Sequence, residues 1–173
     1  MGTFEKRMQT RQQLAWGVPS EGMAIELGVA AGTFSAQLLS TNPFIKTLYS
    51  IDKWDDHHDH AEMQHAQQTL SRFGARSKII HATFAEALAQ FEKESIDLIY
   101  IDGYAHTGQE EGKTLADWWP IVKPGGIFAG HDYDSKFPKT IEVVDRFVQT
   151  HHLVLQIILD RNTYASWWVE KPR

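Results

Sequence analysis

Five short apolar runs, each followed by a helix-like segment, constrain the fold of this chain more than any other feature. The runs span residues 23–28, 47–52, 77–82, 96–103 and 125–133. Strands that alternate with helices are typical of a parallel sheet covered on both faces. Residues 153–160 and 163–170 flank a short turn and predict a closing hairpin. We therefore expect an α/β fold: a three-layer doubly wound sheet of seven strands, mostly parallel, with an antiparallel C-terminal hairpin strand.

Length and composition indicate one domain, residues 1–173, in which residues 1–20 form an N-terminal helix (4–16) that packs on or caps the core. The absence of cysteine excludes disulfides and thiolate zinc sites. A net charge of -5 without a basic patch argues against nucleic acid as a partner. No apolar run is long enough for a signal peptide or a membrane span, so we expect a cytoplasmic protein with no membrane partner.

The loop after the first strand combines an acid with two glycines. Ligands of such sheets bind outside the carboxyl ends of the strands. Gly28 and Gly32 are separated by three residues, and Glu26 stands two residues before the first glycine. A dinucleotide-binding loop would carry G-x-G-x-x-G, but Ala30 and Thr33 stand at its second and third glycine positions. The loop is therefore a nucleoside-binding turn of another type or a plain tight turn.

The ends of the second and third strands suggest contacts to a nucleoside. Asp52 follows Gly28 by 24 residues, a spacing at which a carboxylate can accept both ribose hydroxyls, although a lone acid is also a common turn former. Thr83 and Phe84 follow the third strand and are candidates for contacting an adenine. The alternative for Thr83 is a capping box with Glu86, and both roles are compatible.

Acids and histidines follow the fourth and fifth strands. Asp102 and His106 come after the most apolar run, and His131 and Asp132 end the fifth. Because neighbouring strand ends meet at one edge, these side chains can converge there. Their oxygen and imidazole groups suit Mg²⁺ or Mn²⁺, and a histidine suits general-base catalysis. The alternative is that they only cap the strands and turn the chain.

These motifs together resemble the class I S-adenosylmethionine-dependent methyltransferases over nearly the whole chain. The matching segments are "IELGVAAGTFS", "SID", "DLIYIDGYAH" and "ADWWPIVKPGGIFAGHDY". The last two resemble a small O-methyltransferase branch that includes the macrocin and cephalosporin-pathway enzymes and, more distantly, the catechol and caffeoyl-coenzyme A enzymes.

The resemblance implies roles for the matching residues. Glu26 and Gly28 would face the methionine part of the cofactor, and Asp52 the ribose. The implied cofactor-binding set is Glu26, Gly28, Ala30, Gly32, Thr33, Asp52, Lys53, Trp54, Thr83, Phe84 and Asp102. The implied metal ligands are Asp102, His131 and Asp132, and the candidate catalytic residues are Asp102, His106 and His131.

The implied function is methyl transfer from S-adenosylmethionine to a small hydroxylated acceptor. Mg²⁺ or another divalent cation would position and acidify the acceptor hydroxyl; without a metal, His106 or His131 would be the base. The alternatives are a nicotinamide-dependent oxidoreductase and a non-catalytic S-adenosylmethionine-binding module. The short chain leaves little to build a substrate cap, so part of the pocket is expected to come either from the N-terminal helix or from a second copy in a homodimer.

The segment "WDDHHDH", residues 54–60, follows Asp52 directly. We interpret it as the start of a helix and a partial lid, with Trp54 over the adenine or ribose and a cap from Asp55, Asp56 or Asp59. The alternatives are a solvated turn and a metal site.

Overall fold

One mixed sheet holds all seven strands of the computed structural model, which describes residues 8–55, 58–103 and 106–173. The strand order is β3-β2-β1-β4-β5-β7-β6. The strands are β1 Met23–Leu27, β2 Thr47–Asp52, β3 Ser77–His81, β4 Ile96–Ile101, β5 Val122–Gly130, β6 Gln156–Ile158 and β7 Ser166–Glu170. The helices are α1 Thr33–Thr41, α2 His60–Ser71, α3 Phe84–Leu88, α4 Lys113–Trp118 and α5 Pro138–Thr150.

Strand β4 shows why the sheet is covered on both faces. All six of its residues are buried. Ile99 and Ile101 belong to one hydrophobic cluster, and Leu98 and Tyr100 to another. Because alternate residues of a strand point to opposite faces, the two clusters are the cores on the two sides of the sheet. The expected doubly wound α/β fold is therefore confirmed.

Strand pairing sets the edge at which the site is built. Strands β1 to β5 pair in parallel, while β7 runs antiparallel to both β5 and β6. The strand order reverses between β1 and β4, which pair directly. The ends of β1, β2 and β4 therefore open onto a common crevice, the usual ligand position in such sheets.

The N-terminal segment differs from the predicted helix 4–16. The described part is a 3-10 helix of seven residues, Arg11–Gly17, and residues 4–7 lie outside the described residues. Leu14 and Ala15 are fully buried, so the turn packs on the core as expected. A Cβ on Gly17 would lie 2.2 Å from the Ile127 side chain, so this close packing helps explain why the helical run ends there.

The hairpin also differs from its sequence prediction. We expected strands 153–160 and 163–170, but β6 and β7 are shorter and seven residues, 159–165, connect them. The bounds of the fifth run moved less: β5 begins before 125 and ends before 133. Within the described ranges, no helix is long and apolar enough to cross a membrane.

Candidate cofactor and catalytic site

The turn after β1 has a backbone shape that depends on Gly28. Its φ is +86°, in the left-handed region that favours glycine. A Cβ at this position would lie 2.6 Å from the carbonyl oxygen of Asp102. Strands β1 and β4 can therefore end side by side only because this residue has no side chain. Gly32 follows as the N-cap of α1, with a φ of +79°.

Asp52 holds this turn in place. Its Oδ2 accepts hydrogen bonds from the N–H groups of Val29 at 2.7 Å and Ala30 at 3.0 Å. Its Oδ1 accepts from the N–H groups of Lys53 at 2.7 Å and Trp54 at 3.4 Å. Asp52 is only 4% exposed, yet it lines a cavity of about 300 Å³ in the crevice. Asp52 is thus an anchor of the glycine turn as well as a candidate ribose ligand.

Trp54 supports the same turn from outside. It is buried, and its indole N–H donates to the carbonyl oxygen of Ala30 at 2.9 Å. Its ring belongs to a small cluster with Val29, Met63 and Ala66. This packing accounts for a buried tryptophan with a left-handed φ of +43°. The ring thus packs against protein, and its position over the adenine or ribose stays a prediction.

Two cavities adjoin along the crevice. The smaller, about 300 Å³, is lined by Asp52, Lys53, Thr83, Phe84 and His106, among others. The larger, about 490 Å³, is lined by Arg11, Glu26, Gly28, Ala30, Thr33, Asp102 and His106, among others. His106 belongs to both walls, so the two cavities meet at its ring. The sequence-predicted cofactor residues that line the crevice therefore fall into two groups, one in each cavity, whereas Gly32 and Trp54 line neither cavity.

Glu26 is an acid held inside the protein. It is 1% exposed, and it accepts a hydrogen bond from the hydroxyl of Ser35, which also contacts the hydroxyl of Ser50 at 2.7 Å. Burial, together with the nearby charge of Asp102, raises the pKa of Glu26 to about 8. Glu26 therefore carries a proton at neutral pH and can donate as well as accept hydrogen bonds.

Asp102 joins three other charged groups at the end of β4. Its Oδ2 accepts from Nη1 of Arg11 at 3.1 Å, and its Oδ1 lies 3.2 Å from Nδ1 of His131. The same Nδ1 lies 3.1 Å from Oδ1 of Asp132. Burial alone would raise the pKa of Asp102, but its contacts with His131 and Arg11 outweigh burial and lower it. The expected convergence of strand ends four and five is therefore present.

The contacts of His131 favour its protonated form. Burial lowers the pKa of His131, but its hydrogen bonds to Asp102 and Asp132 outweigh burial and raise the value to about 9. Its Nε2 lies 2.9 Å from the hydroxyl of Thr163. An imidazolium has no free lone pair, so His131 does not suit the base role that we gave it.

The expected metal site does not fit this geometry. One oxygen of Asp102 faces a guanidinium, and the other faces an imidazolium that also contacts Asp132. Protonated nitrogens thus take the positions where a cation would bind the two carboxylates. Residues 8–55, 58–103 and 106–173 contain no group of three or more candidate metal ligands. The metal assignment of Asp102, His131 and Asp132 is therefore not supported.

His106 is placed differently from His131. Its ring centroid lies 4.6 Å from that of Phe84. Its Nδ1 is buried and lies 3.8 Å from Oε1 of Glu110, too far for a hydrogen bond. Among the described residues, this nitrogen has no hydrogen-bond partner. A histidine at the junction of two cavities with an uncommitted nitrogen suits proton transfer.

The remaining predicted residues occupy the wall of the smaller cavity or its approach. Thr83 forms the capping box with Glu86: its hydroxyl accepts from the N–H of Glu86 at 3.2 Å. The segment 54–60 precedes α2, and Asp59 is the N-cap, accepting from the N–H of Glu62 at 3.1 Å. Asp56 and His57 lie outside the described residues.

Arg11 and Ser35 were missed by sequence reasoning. Arg11 lies 91 residues before its partner Asp102, and no local spacing connects the two. Ser35 stands within the helical run after the glycine turn, where it has the pattern of an ordinary α1 residue. Only the packing of the N-terminal turn and of α1 against the sheet brings these side chains to the site.

Comparison with known proteins agrees with this geometry. A family described as a methyltransferase domain matches residues 25–133, more than half of the chain. The chain belongs to this methyltransferase family. Its fold, crevice and glycine turn are those of an S-adenosylmethionine-dependent methyltransferase domain.

Individual relatives of the methyltransferase domain are more distant. An uncharacterized protein, y4gI, of Sinorhizobium fredii is 30% identical over 125 residues, which are 65% of this chain but only 13% of that protein. An S-adenosylmethionine-dependent O-methyltransferase of Thermotoga maritima has a TM-score of 0.69 at 15% identity, covering 98% of this chain and 69% of its own. An rRNA methylase of Streptococcus thermophilus also has a TM-score of 0.69, at 16% identity, covering 99% and 100%.

Proposed function

We propose that this domain transfers a methyl group from S-adenosylmethionine to the oxygen of a small hydroxylated acceptor. The adenosine occupies the smaller cavity, beside Asp52 and Phe84, and the methionine part occupies the larger one. The observation that carries the proposal is that a member of this family brings Glu26, Gly28 and Asp102 to the wall of one cavity. The larger cavity is also wide enough for a small acceptor beside the sulfonium.

The chemistry needs alignment and one proton transfer. The acceptor oxygen attacks the methyl carbon in line, the carbon–sulfur bond breaks, and its electron pair stays on sulfur. Holding the two reactants in line can supply about 7–11 kcal/mol in favourable cases. The acceptor proton must leave as the new bond forms, and a well-placed base contributes about 10²–10⁴-fold.

We assign the base role to His106. Its ring borders both cavities, and its Nδ1 lies 3.8 Å from Oε1 of Glu110, a carboxylate that can orient the ring. His131 is protonated by its contacts with Asp102 and Asp132, so its role is to fix Asp102 and to donate a hydrogen bond from Nε2. The proposed reaction includes no metal ion, because the carboxylates of Asp102 and Asp132 contact the nitrogens of Arg11 and His131.

The net charge of -5 supports a small acceptor over a nucleic acid. The likeness to an rRNA methylase concerns the fold alone. A second copy of this chain is also part of the proposal, as a source of residues that cover the acceptor. A nicotinamide-dependent oxidoreductase and a non-catalytic binding module remain as outcomes of the test.

The test has a binding stage and a turnover stage. S-adenosylhomocysteine at 100 times its dissociation constant should stabilise the fold by about 2.7 kcal/mol. For a domain of this size the midpoint should rise by roughly 5–10 °C. A shift with NAD⁺ alone would point to the oxidoreductase. Binding of S-adenosylhomocysteine without its formation from S-adenosylmethionine, across a panel of phenols and alcohols, would point to the binding module.

A matched pair of variants tests the site itself. Asp102→Asn weakens the ion pairs with Arg11 and His131 and should abolish turnover while the adenosine part still binds. Asp97→Asn is the control, because Asp97 is also an ion-paired, largely buried acid of β4, 2.9 Å from Nζ of Lys123. Asp97 stands at the other end of the strand, so its variant should lose stability only. Equal turnover in the two variants would refute the site assignment.

A further inference from the structure

Arg11 forms part of the wall of the larger cavity and is held there from several sides. Its guanidinium carbon lies 4.3 Å from the centre of the Phe34 ring and 5.9 Å from that of Tyr100. Its Nη1 donates to Oδ2 of Asp102 at 3.1 Å and contacts the Tyr100 hydroxyl at 3.4 Å. The side chain is only 18% exposed. A guanidinium that stacks on a ring and donates to a carboxylate keeps a fixed orientation. Its remaining N–H groups are therefore pre-organised to bind a ligand.

The other donors of Arg11 have no hydrogen-bond partner among the described residues. Hydrogen bonds to the described residues use only Nη1, which leaves the N–H groups of Nε and Nη2. A guanidinium has five donors in a fixed fork that matches a carboxylate. Of the described residues that line this cavity, Arg11 is the only lysine or arginine, whereas Glu26 and Asp102 are acids.

We infer that Arg11 binds the carboxylate of the methionyl part of S-adenosylmethionine and so selects cofactors that retain this carboxylate. The inference rests on the proposed function. A ligand carboxylate beside the negative charge of Asp102 would be repelled without a cation. Nη1 of Arg11 donates to Asp102, and the N–H groups of Nε and Nη2 are left for the ligand carboxylate. A single guanidinium would therefore contact both the cofactor and the Asp102 carboxylate.

The experiment compares two thioethers that differ in one group. S-adenosylhomocysteine carries the carboxylate, and its decarboxylated analogue, S-adenosyl-3-thiopropylamine, lacks it. Dissociation constants for both are measured by isothermal titration calorimetry. A charge-assisted hydrogen bond corresponds to about 10–100-fold in affinity. The wild-type protein should prefer S-adenosylhomocysteine by a factor in this range, and Arg11→Gln should bring the ratio of the two constants close to one.

Control variants separate charge, geometry and folding. Arg72→Gln removes another stacked arginine, whose guanidinium carbon lies 4.8 Å from the Phe73 ring and which does not line either cavity, so it should keep the wild-type ratio. Arg11→Lys keeps a charge without the fork and should give an intermediate ratio. The affinity of Arg11→Gln for the decarboxylated compound reports whether the adenosine part of the site is intact.

The possible outcomes separate a failure of the Arg11 role from a failure of the proposed function. A ratio in Arg11→Gln that equals the wild-type ratio overturns the role of Arg11 while leaving the cofactor assignment standing. Failure of the wild-type protein to bind either compound overturns both the proposed function and this inference. Loss of affinity for both compounds by the same factor in Arg11→Gln would make Arg11 a packing residue, which also overturns the inference.

Discussion

Replacing Asp52 by alanine should loosen the whole glycine turn after β1. The substitution removes a carboxylate that accepts four backbone hydrogen bonds, three of them between 2.7 and 3.0 Å and the fourth at 3.4 Å. The side chain is 4% exposed, so water does not readily replace it. Leaving a buried N–H group without an acceptor costs about 1–3 kcal/mol. Because part of the turn can relax toward solvent, we expect a loss of about 3–6 kcal/mol in the free energy of unfolding.

Urea unfolding of the wild-type protein and of three variants measures this loss in the free energy of unfolding. Asp52→Asn keeps one oxygen acceptor and should lose roughly half as much as Asp52→Ala. Asp160→Ala is the control, because Asp160 accepts a single hydrogen bond, from the N–H of Asn162 at 3.0 Å, at the surface. The control should change stability by less than about 0.5 kcal/mol.

The same variant also separates the two roles of Asp52. If Asp52 mainly holds the turn, Asp52→Ala should lose stability even without cofactor, and the stabilisation by S-adenosylhomocysteine should fall as well. A variant as stable as the control in the absence of ligand would refute the anchoring role. The carboxylate would then act on the ribose alone.

Three further predictions concern pH, backbone and packing. His131, with a folded pKa of about 9 against an ordinary value of 6.5, should contribute about 3 kcal/mol below pH 6.5 that is lost as pH rises through 9. Urea unfolding as a function of pH measures this contribution. It is done in a Glu26→Gln background, because the pKa of Glu26 is also raised and its titration would also lower the stability as pH rises. A pH dependence of the free energy of unfolding that persists after His131→Gln would contradict the assignment to His131. Gly28→Ala should lose more stability than Gly74→Ala, because only at Gly28 does the new Cβ meet a backbone oxygen, at 2.6 Å; equal losses measured by thermal unfolding would argue against a close strand approach. Trp54→Phe keeps an aromatic side chain, but it removes the donor of a 2.9 Å hydrogen bond and part of a buried ring. It should therefore cost more than about 1 kcal/mol and weaken S-adenosylhomocysteine binding in calorimetry; unchanged values would remove Trp54 from the support of the turn.

The sequence by itself determined the sheet, its helices and the edge that carries the site. Short apolar runs form buried strands because both faces of a parallel sheet must be covered, and this pattern is local. Gly28 and Asp52 could be assigned to the crevice for the same reason, since each stands directly after its strand. The capping box of Thr83 and the cap from Asp59 also follow from short-range hydrogen bonding.

Only the tertiary structure decided the chemistry at the end of β4. Residue type and spacing made Asp102, His131 and Asp132 look like metal ligands, yet a guanidinium from the N-terminal turn and a shared imidazolium proton take the cation's place. The same contacts raise the pKa of His131 and remove it as a base. These effects depend on distances between residues that are far apart in the chain. Tertiary packing determines those distances, and no local sequence pattern predicts them.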